Sequence, residues 1–334
     1  ILAPGCTHFD RIDPRTKRRM NLCYRTHRLQ ARCVFEMFCS FLTTRGGEKA
    51  RPALLVRSGT GTPNWISSVE CQKLAVGTSS FHCCEENHKT VRRCLRTAAK
   101  DMLVSLIKIN TRVLYENNQF SSARFSAMIA HRWLRGLASP SETASTSKQE
   151  LKQRLRWSDC LDGEGWFDRN GFSLLFFAVM NHATSVVSIL LNDLTRTHER
   201  GSSEYAKLLQ SAIPTTGLQR YGFTGCTTAL HFAMAGTSFE IVCLLLQYGA
   251  DPFETDVAGA DPLMFASIFG HTDNVKFWLN RFPDWNLERK DKIVGGVALG
   301  QAVYMGPHRF ELMKILVDHG ASMSLKNYSG ASIL

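Results

Sequence analysis

The chain has 334 residues, 11 cysteines and a formal net charge of +11, which leaves room for two domains. Nowhere do apolar residues approach eighteen in a row, so no transmembrane helix is visible. Eight cysteines precede residue 100 without the regular spacing of a disulfide scaffold, which points to a reducing, cytoplasmic setting. Charge divides at the middle. Residues 1–150 carry 24 Lys/Arg and 11 Asp/Glu, a net of +13, while 151–334 carry 16 and 18, a net of −2. The basic excess belongs wholly to the first half, and the second is poorly suited to a phosphate backbone.

Residues 1–137 read as a basic, Cys-rich region, partly helical and partly disordered. Residues 24–42 have helical spacing through Leu29, Cys33, Phe35, Met37 and Phe38. Residues 43–80 are rich in Gly, Ser, Thr and Pro and read as loop or disorder. A long apolar face over 91–115 runs through Leu95, Met102, Leu103, Leu106, Ile107 and Leu114, and 123–137 suggests another helix. "ASPSETASTSK" opens a polar linker over 138–149. Residues 150–161 then lead into the second half as a helical cap, with Leu155 and Trp157 packed on its first unit.

Four motifs in this half bear on chemistry. "RTKRRM" at 15–20 is a nuclear signal or, more simply, a solvated basic surface. "SGTGTPN" at 58–64 lacks the Gly-Lys-Ser/Thr end of a phosphate loop. "HCCEENHKTVRRC" at 82–94 gathers His82, Cys83, Cys84, His88 and Cys94, but has no Cys-x2-Cys pair for tetrahedral zinc. His131 in "AMIAHRWL" reads as a helix-surface or core histidine. No nucleophile elbow, carboxylate pair or dinucleotide loop is present. The expectation is a non-enzyme with neither metal nor cofactor.

The second half is more explicit. "TALHFAMAGTSFEIVCLLLQYGADP", residues 228–252, holds two short apolar helices broken at Gly236–Ser238. Thr228 is placed to cap the first. Gly249 follows the last periodic residue of the second, where a left-handed residue ends a helix, and Pro252 prevents its resumption. Such a unit is too small to bury its own apolar face. Blocks like "TALH" recur at Leu175, Leu230, Leu263, Leu299 and Leu334, in steps of 55, 33, 36 and 35 residues. With "GHTDNV" at 270–275, "GAD" at 249–251 and "GAS" from Gly320 to Ser322, this half resembles the ankyrin-repeat family over about residues 168–334.

The resemblance implies an all-α domain over 150–334. It is a solenoid of about four helix-turn-helix repeats near 168–192, 223–255, 256–291 and 292–326, with a partial fifth at 327–334. The long first step places an insertion at 193–222, in which "SSEYAKLLQSAI" suggests an extra helix. The family's motif carries a histidine that ties one repeat to the next. Here only His231 occupies that place, and Phe176, Met264 and Gly300 replace it elsewhere. The stack is therefore expected to lean on apolar packing. Ile1 and the incomplete fifth unit suggest a segment of a longer protein.

A solenoid of this kind implies a protein-interaction scaffold that presents the hairpin tips of its concave face to an unidentified protein partner. The tips fall near 166–170, 254–257, 289–292 and 326–328. The candidate binding residues are Trp166, Asp168, Arg169, Asp256, Arg289, Lys290, Asp291, Lys326 and Tyr328. The competing reading has the basic residues 1–150 binding nucleic acid or another acidic surface. A catalytic domain outside the chain given is a third.

Overall fold

The computed structural model describes residues 2–4, 11–12, 19–20, 31–42, 53–56, 64–66, 76, 89–138, 144–157, 165–214, 218, 221, 223–236, 239–305 and 309–333. The motifs at 58–63 and 82–88 lie outside the described residues. The chain forms two compact units, Ile1–Gln119 with Arg132–Ser139, and Phe120–His131 with Pro140–Leu334.

In the first unit, helix α1 (Ala31–Leu42) packs on helix α2 (Lys89–Glu116). Val34 and Phe38 on α1 and Leu103, Ile107 and Leu114 on α2 are buried, and Trp133 meets Phe38 edge-to-face at 5.9 Å. Leu95, Met102 and Ile109 remain exposed, so the apolar face expected on 91–115 is only partly covered. The stretch expected to be loop holds two strands. Residues 53–56 (β4, Ala53–Val56) pair antiparallel with β5 (Asn64–Ile66) and parallel with β1 (Leu2–Pro4). A second pairing joins β2 (Arg11–Ile12) to β3 (Arg19–Met20).

The second unit is the expected all-α solenoid. Its repeats are the helix pairs α5 (Leu174–Met180) and α6 (Thr184–Thr197), α8 (Ala229–Gly236) and α9 (Phe239–Gln247), α10 (Pro262–Phe269) and α11 (Thr272–Arg281), and α12 (Ala298–Met305) and α13 (Phe310–Asp318). Leu175, Leu230, Leu263 and Leu299 all lie in the core, at the same place in successive first helices. Two residues before three of these leucines stands a cap. Ser173 Oγ accepts from Phe176 N at 2.9 Å, Thr228 Oγ1 from His231 N at 3.4 Å, and Asp261 Oδ1 from Met264 N at 2.8 Å. Each satisfies a backbone N–H that the first helical turn leaves without a partner. Gly249 and Gly320 end α9 and α13 with left-handed backbones, φ 97° and 93°.

The insertion holds helix α7 (Ser203–Gln210), capped by Ser202. It is docked to the stack. Tyr205 Oη donates to Tyr248 O at 2.7 Å, and Tyr248 Oη donates to Asn192 Oδ1 at 2.6 Å. Beyond α7, Ile213 and the 226–227 turn exchange backbone hydrogen bonds of 2.9 and 3.0 Å.

The solenoid begins earlier than residue 150. Residues 120–131, from helix α3 (Phe120–Trp133), close its N-terminal end. Phe125 packs on Tyr221, Phe223 and Phe232 with ring centroids 4.5 to 6.0 Å apart. Arg124, fully buried, bonds Asp168 Oδ2 at 2.6 Å and the Leu155 and Arg156 carbonyls at 2.9 and 3.1 Å. Leu155 is buried and Trp157 meets Phe177 edge-to-face at 6.0 Å, the packing expected of the segment that includes helix α4 (Lys148–Arg154).

Candidate functional site

The hairpin tips are built by one device used four times. Asp168, Asp256, Asp291 and Asn327 each donate their N–H across the turn, to Phe172 O, Ala260 O, Gly296 O and Asn327's partner Ala331 O, at 2.9 to 3.1 Å. Each side chain then accepts from its own turn. Asp168 Oδ1 takes Asn170 N and Phe172 N, both at 2.9 Å, and Asp256 Oδ1 takes Ala260 N at 2.8 Å. Asp291 takes Ile293, Val294 and Gly296 N–H at 2.7 to 2.9 Å, and Asn327 takes Ser329 and Ala331 at 3.1 and 2.9 Å. A left-handed glycine completes each turn, at 171, 259, 295 and 330, with φ between 70° and 80°. Only glycine adopts that backbone without steric cost.

The tips are also tied to one another. Val257 N donates to Gly225 O at 3.0 Å, Lys292 N to Ala258 O at 2.7 Å, and Tyr328 N to Val294 O at 2.9 Å. The result is one continuous edge. Lys292's stem lies across Gly259, and the Tyr328 ring lies across Gly295. Lys290 Nζ donates to Lys326 O at 2.7 Å and stands 5.8 Å from the Tyr328 ring centroid.

This geometry sorts the nine candidate residues. Asp168, Asp256 and Asp291 are buried; the expectation that they face a partner is corrected, because their carboxylates are used inside their own turns. Burial pushes the Asp256 carboxyl above its usual range, against the pull of its hydrogen bond from Thr224. Trp166 is also buried and belongs to the N-terminal core. Arg289 is half-buried. Burial raises the Asp261 carboxyl, and the charge of Arg289 opposes that shift. Arg169, Lys290, Lys326 and Tyr328 are exposed. Val257 and Lys292, within the expected tips but not among the nine, share this edge with Ile293 and Val294, which lie outside the tip bounds expected from sequence. The signal for the latter two was the extra residue between Asp291 and Leu299, eight positions against seven from Asp256 to Leu263.

His231 ties two repeats. Its Nε2 meets Ala260 O at 3.1 Å, and its Nδ1 accepts from Thr228 Oγ1 at 2.7 Å and Thr228 N at 3.1 Å. Burial lowers its pKa to about 4, with the Ala260 hydrogen bond opposing. The imidazole is neutral and engaged on both nitrogens, a structural role. Among the described residues no three His, Cys, Asp or Glu side chains are grouped to hold a metal ion, and no helix is long and apolar enough to cross a membrane. Cys94, Cys226 and Cys243 carry free thiols.

Stacked helical hairpins with turned, mutually bonded tips define an ankyrin-type solenoid. The family model described as ankyrin repeats (3 copies) matches residues 197–291 and again 230–327. The chain carries ankyrin repeats, as its leucine spacing implies. A probable E3 ubiquitin-protein ligase, XBOS33, of Oryza sativa subsp. japonica is 32% identical over 134 residues, 40% of this chain and 25% of its own length. Tyrosine-protein kinase HTK16 of Hydra vulgaris is 26% identical over 140 residues, 41% of this chain and 18% of its own. Ankyrin repeat and SAM domain-containing protein 6 of Mus musculus is 35% identical over 72 residues, 22% and 8%. The match thus spans a quarter or less of each relative. Ankyrin repeats are general protein-interaction modules, and the repeat domain itself is non-catalytic.

Proposed function

We propose that the chain is a scaffold or adaptor that binds a partner protein through the exposed edge of its hairpin tips. The observation that carries this reading is the continuity of that edge. Three successive tips are joined by backbone hydrogen bonds. They turn the Asp256 and Asp291 carboxylates inward and leave Lys290, Lys326 and Tyr328 outward. An edge already satisfied in its backbone offers side chains alone, and these combine an aromatic with cations, a composition suited to a specific interface. The setting is intracellular and reducing, consistent with the free thiols at Cys226 and Cys243. Any catalytic activity belongs to a part of the protein outside this chain.

The test is a pull-down with the intact chain and with Arg289→Ala, Lys290→Ala and Tyr328→Ala combined. These positions are exposed or half-buried, where substitutions change stability by about 0.5 kcal/mol or less, so the variant keeps its melting transition. Loss of the captured partner supports the proposal. A folded variant that retains every partner overturns it.

A second reading follows from the net charge of +13 over residues 1–150, which suits nucleic acid or an acidic surface. Its mark is a steep fall of DNA affinity with salt for the full chain.

A further inference from the structure

The repeat half is close to neutral, with a net charge of −2, yet its third and fourth tips carry an excess of cations. The third and fourth tips bring Arg289, Lys290, Lys292 and Lys326 to one edge, and Asp291, between them, is buried and saturated by its own turn. Exposed acidic residues at these tips are Glu254 and Glu288, fewer than the four cations; others stand in the first turns of the second helices, at Glu240, Asp273 and Glu311. Within the basic edge lies an apolar strip. Ile293 is 67% exposed, Val257 56%, Val294 50% and Tyr328 62%. The strip is contiguous because Lys292 N bonds Ala258 O and Tyr328 N bonds Val294 O, which sets the three tips side by side.

We infer that this edge takes an extended peptide segment whose acidic residues meet Lys290, Lys292 and Lys326 and whose apolar residues cover Ile293 and Val294. The inference rests on the reading of the tips as the binding surface and adds the chemistry of the partner. Charge complementarity selects the acid: cations around a low-dielectric strip attract carboxylates more strongly than scattered surface lysines do. The row of tips selects an extended segment, since a chain running along it meets one tip after another. The same features disfavour nucleic acid. Tyr328 is the one ring on the strip, where Ile293, Val294 and Val257 offer none to stack on successive bases, and the array carries no net positive charge to hold phosphates.

The experiment selects a random twelve-residue peptide display library on the full chain. Recovered peptides are then measured by fluorescence anisotropy against two folded variants, Lys290→Glu/Lys292→Glu/Lys326→Glu and Ile293→Ser/Val294→Ser. The expected result is a set of acidic peptides with interspersed apolar residues. Each variant should weaken their binding by about tenfold or more, with the charge-reversed variant turning toward basic peptides. Peptides that both variants lose but that carry no acidic enrichment overturn the inference and leave the tip reading standing. Peptides that bind both variants as tightly as the parent overturn both. Binding of a single-stranded oligo-dT probe at the same edge, lost on charge reversal and stronger than that of any acidic peptide, also overturns the inference.

Discussion

Arg124 donates to Asp168 Oδ2 at 2.6 Å with neither side chain reaching solvent. Asp168 simultaneously holds the first hairpin turn through its other oxygen, and Arg124 closes two carbonyls that follow α4. One ion pair thus joins three segments of the solenoid's N-terminal end. Removing one partner strands a buried charge, which costs about 3–5 kcal/mol. Arg124→Met alone should therefore destabilise strongly in urea unfolding. Asp168→Asn keeps the turn acceptor, and the double variant should be less damaged than the sum of the two. An additive double-mutant cycle would show that the two groups act independently.

His231 makes the fold sensitive to mild acid. Its pKa is 6.5 when unfolded and about 4 in the stack. Between those values the unfolded chain binds a proton that the folded chain refuses. Stability therefore falls as pH drops from 6.5 toward 4, and this group has no effect above that window. The full difference is about 3–4 kcal/mol at about 1.4 kcal/mol per unit. Denaturation midpoints across pH 4 to 8, compared with His231→Gln, isolate this slope; parallel curves would exclude it.

The repeat frame was legible because leucines at a spacing of 33 to 36 residues and a Ser, Thr or Asp two places before three of them are local features of the chain. The direction of Asp168, Asp256 and Asp291 was not. A carboxylate on a turn looks the same in sequence whether it faces a partner or its own backbone. Closure by 120–131 was equally hidden, since Phe125 finds Phe232, and Arg124 finds Asp168, only across long stretches of chain. The strands at 53–56 and 64–66 lay in a Gly- and Ser-rich context that outweighed their short apolar runs.

The turn that precedes α8 departs from the four glycine-completed tips and should be improvable. Cys226 holds a left-handed backbone, φ 61°, in the turn at 224–227. Cys226→Gly should raise the denaturation midpoint, by about 1 kcal/mol, through relief of that conformation. Gly259→Ala should act in the opposite sense and more strongly than Gly330→Ala. A methyl at 259 would stand 2.8 Å from Lys292 Cγ and 3.2 Å from Lys292 N, whereas one at 330 meets nothing within 4 Å. Equal losses would mean that crowding at 259 is relieved without disturbing the Lys292–Ala258 hydrogen bond.

Core and edge should separate experimentally. Leu230→Ala or Leu263→Ala empties space in the packed interior and should cost about 2–5 kcal/mol. Tyr328→Ala, on the exposed edge, should leave the melting curve within about 0.5 kcal/mol. Thermal melts by circular dichroism compare them directly, and similar losses at both kinds of site would refute the assignment of Tyr328 to the edge.

The tip-to-tip backbone hydrogen bonds among the described residues run from a later repeat's N–H to an earlier repeat's carbonyl. Pulled end to end, such an array is loaded like links in series rather than sheared as a block. Single-molecule stretching should then give a sawtooth, each tooth releasing one repeat of 33 to 36 residues and lengthening the chain by about 110–130 Å. The weakest link would yield first, and Gly259→Ala should make that the joint between Ala258 and Lys292.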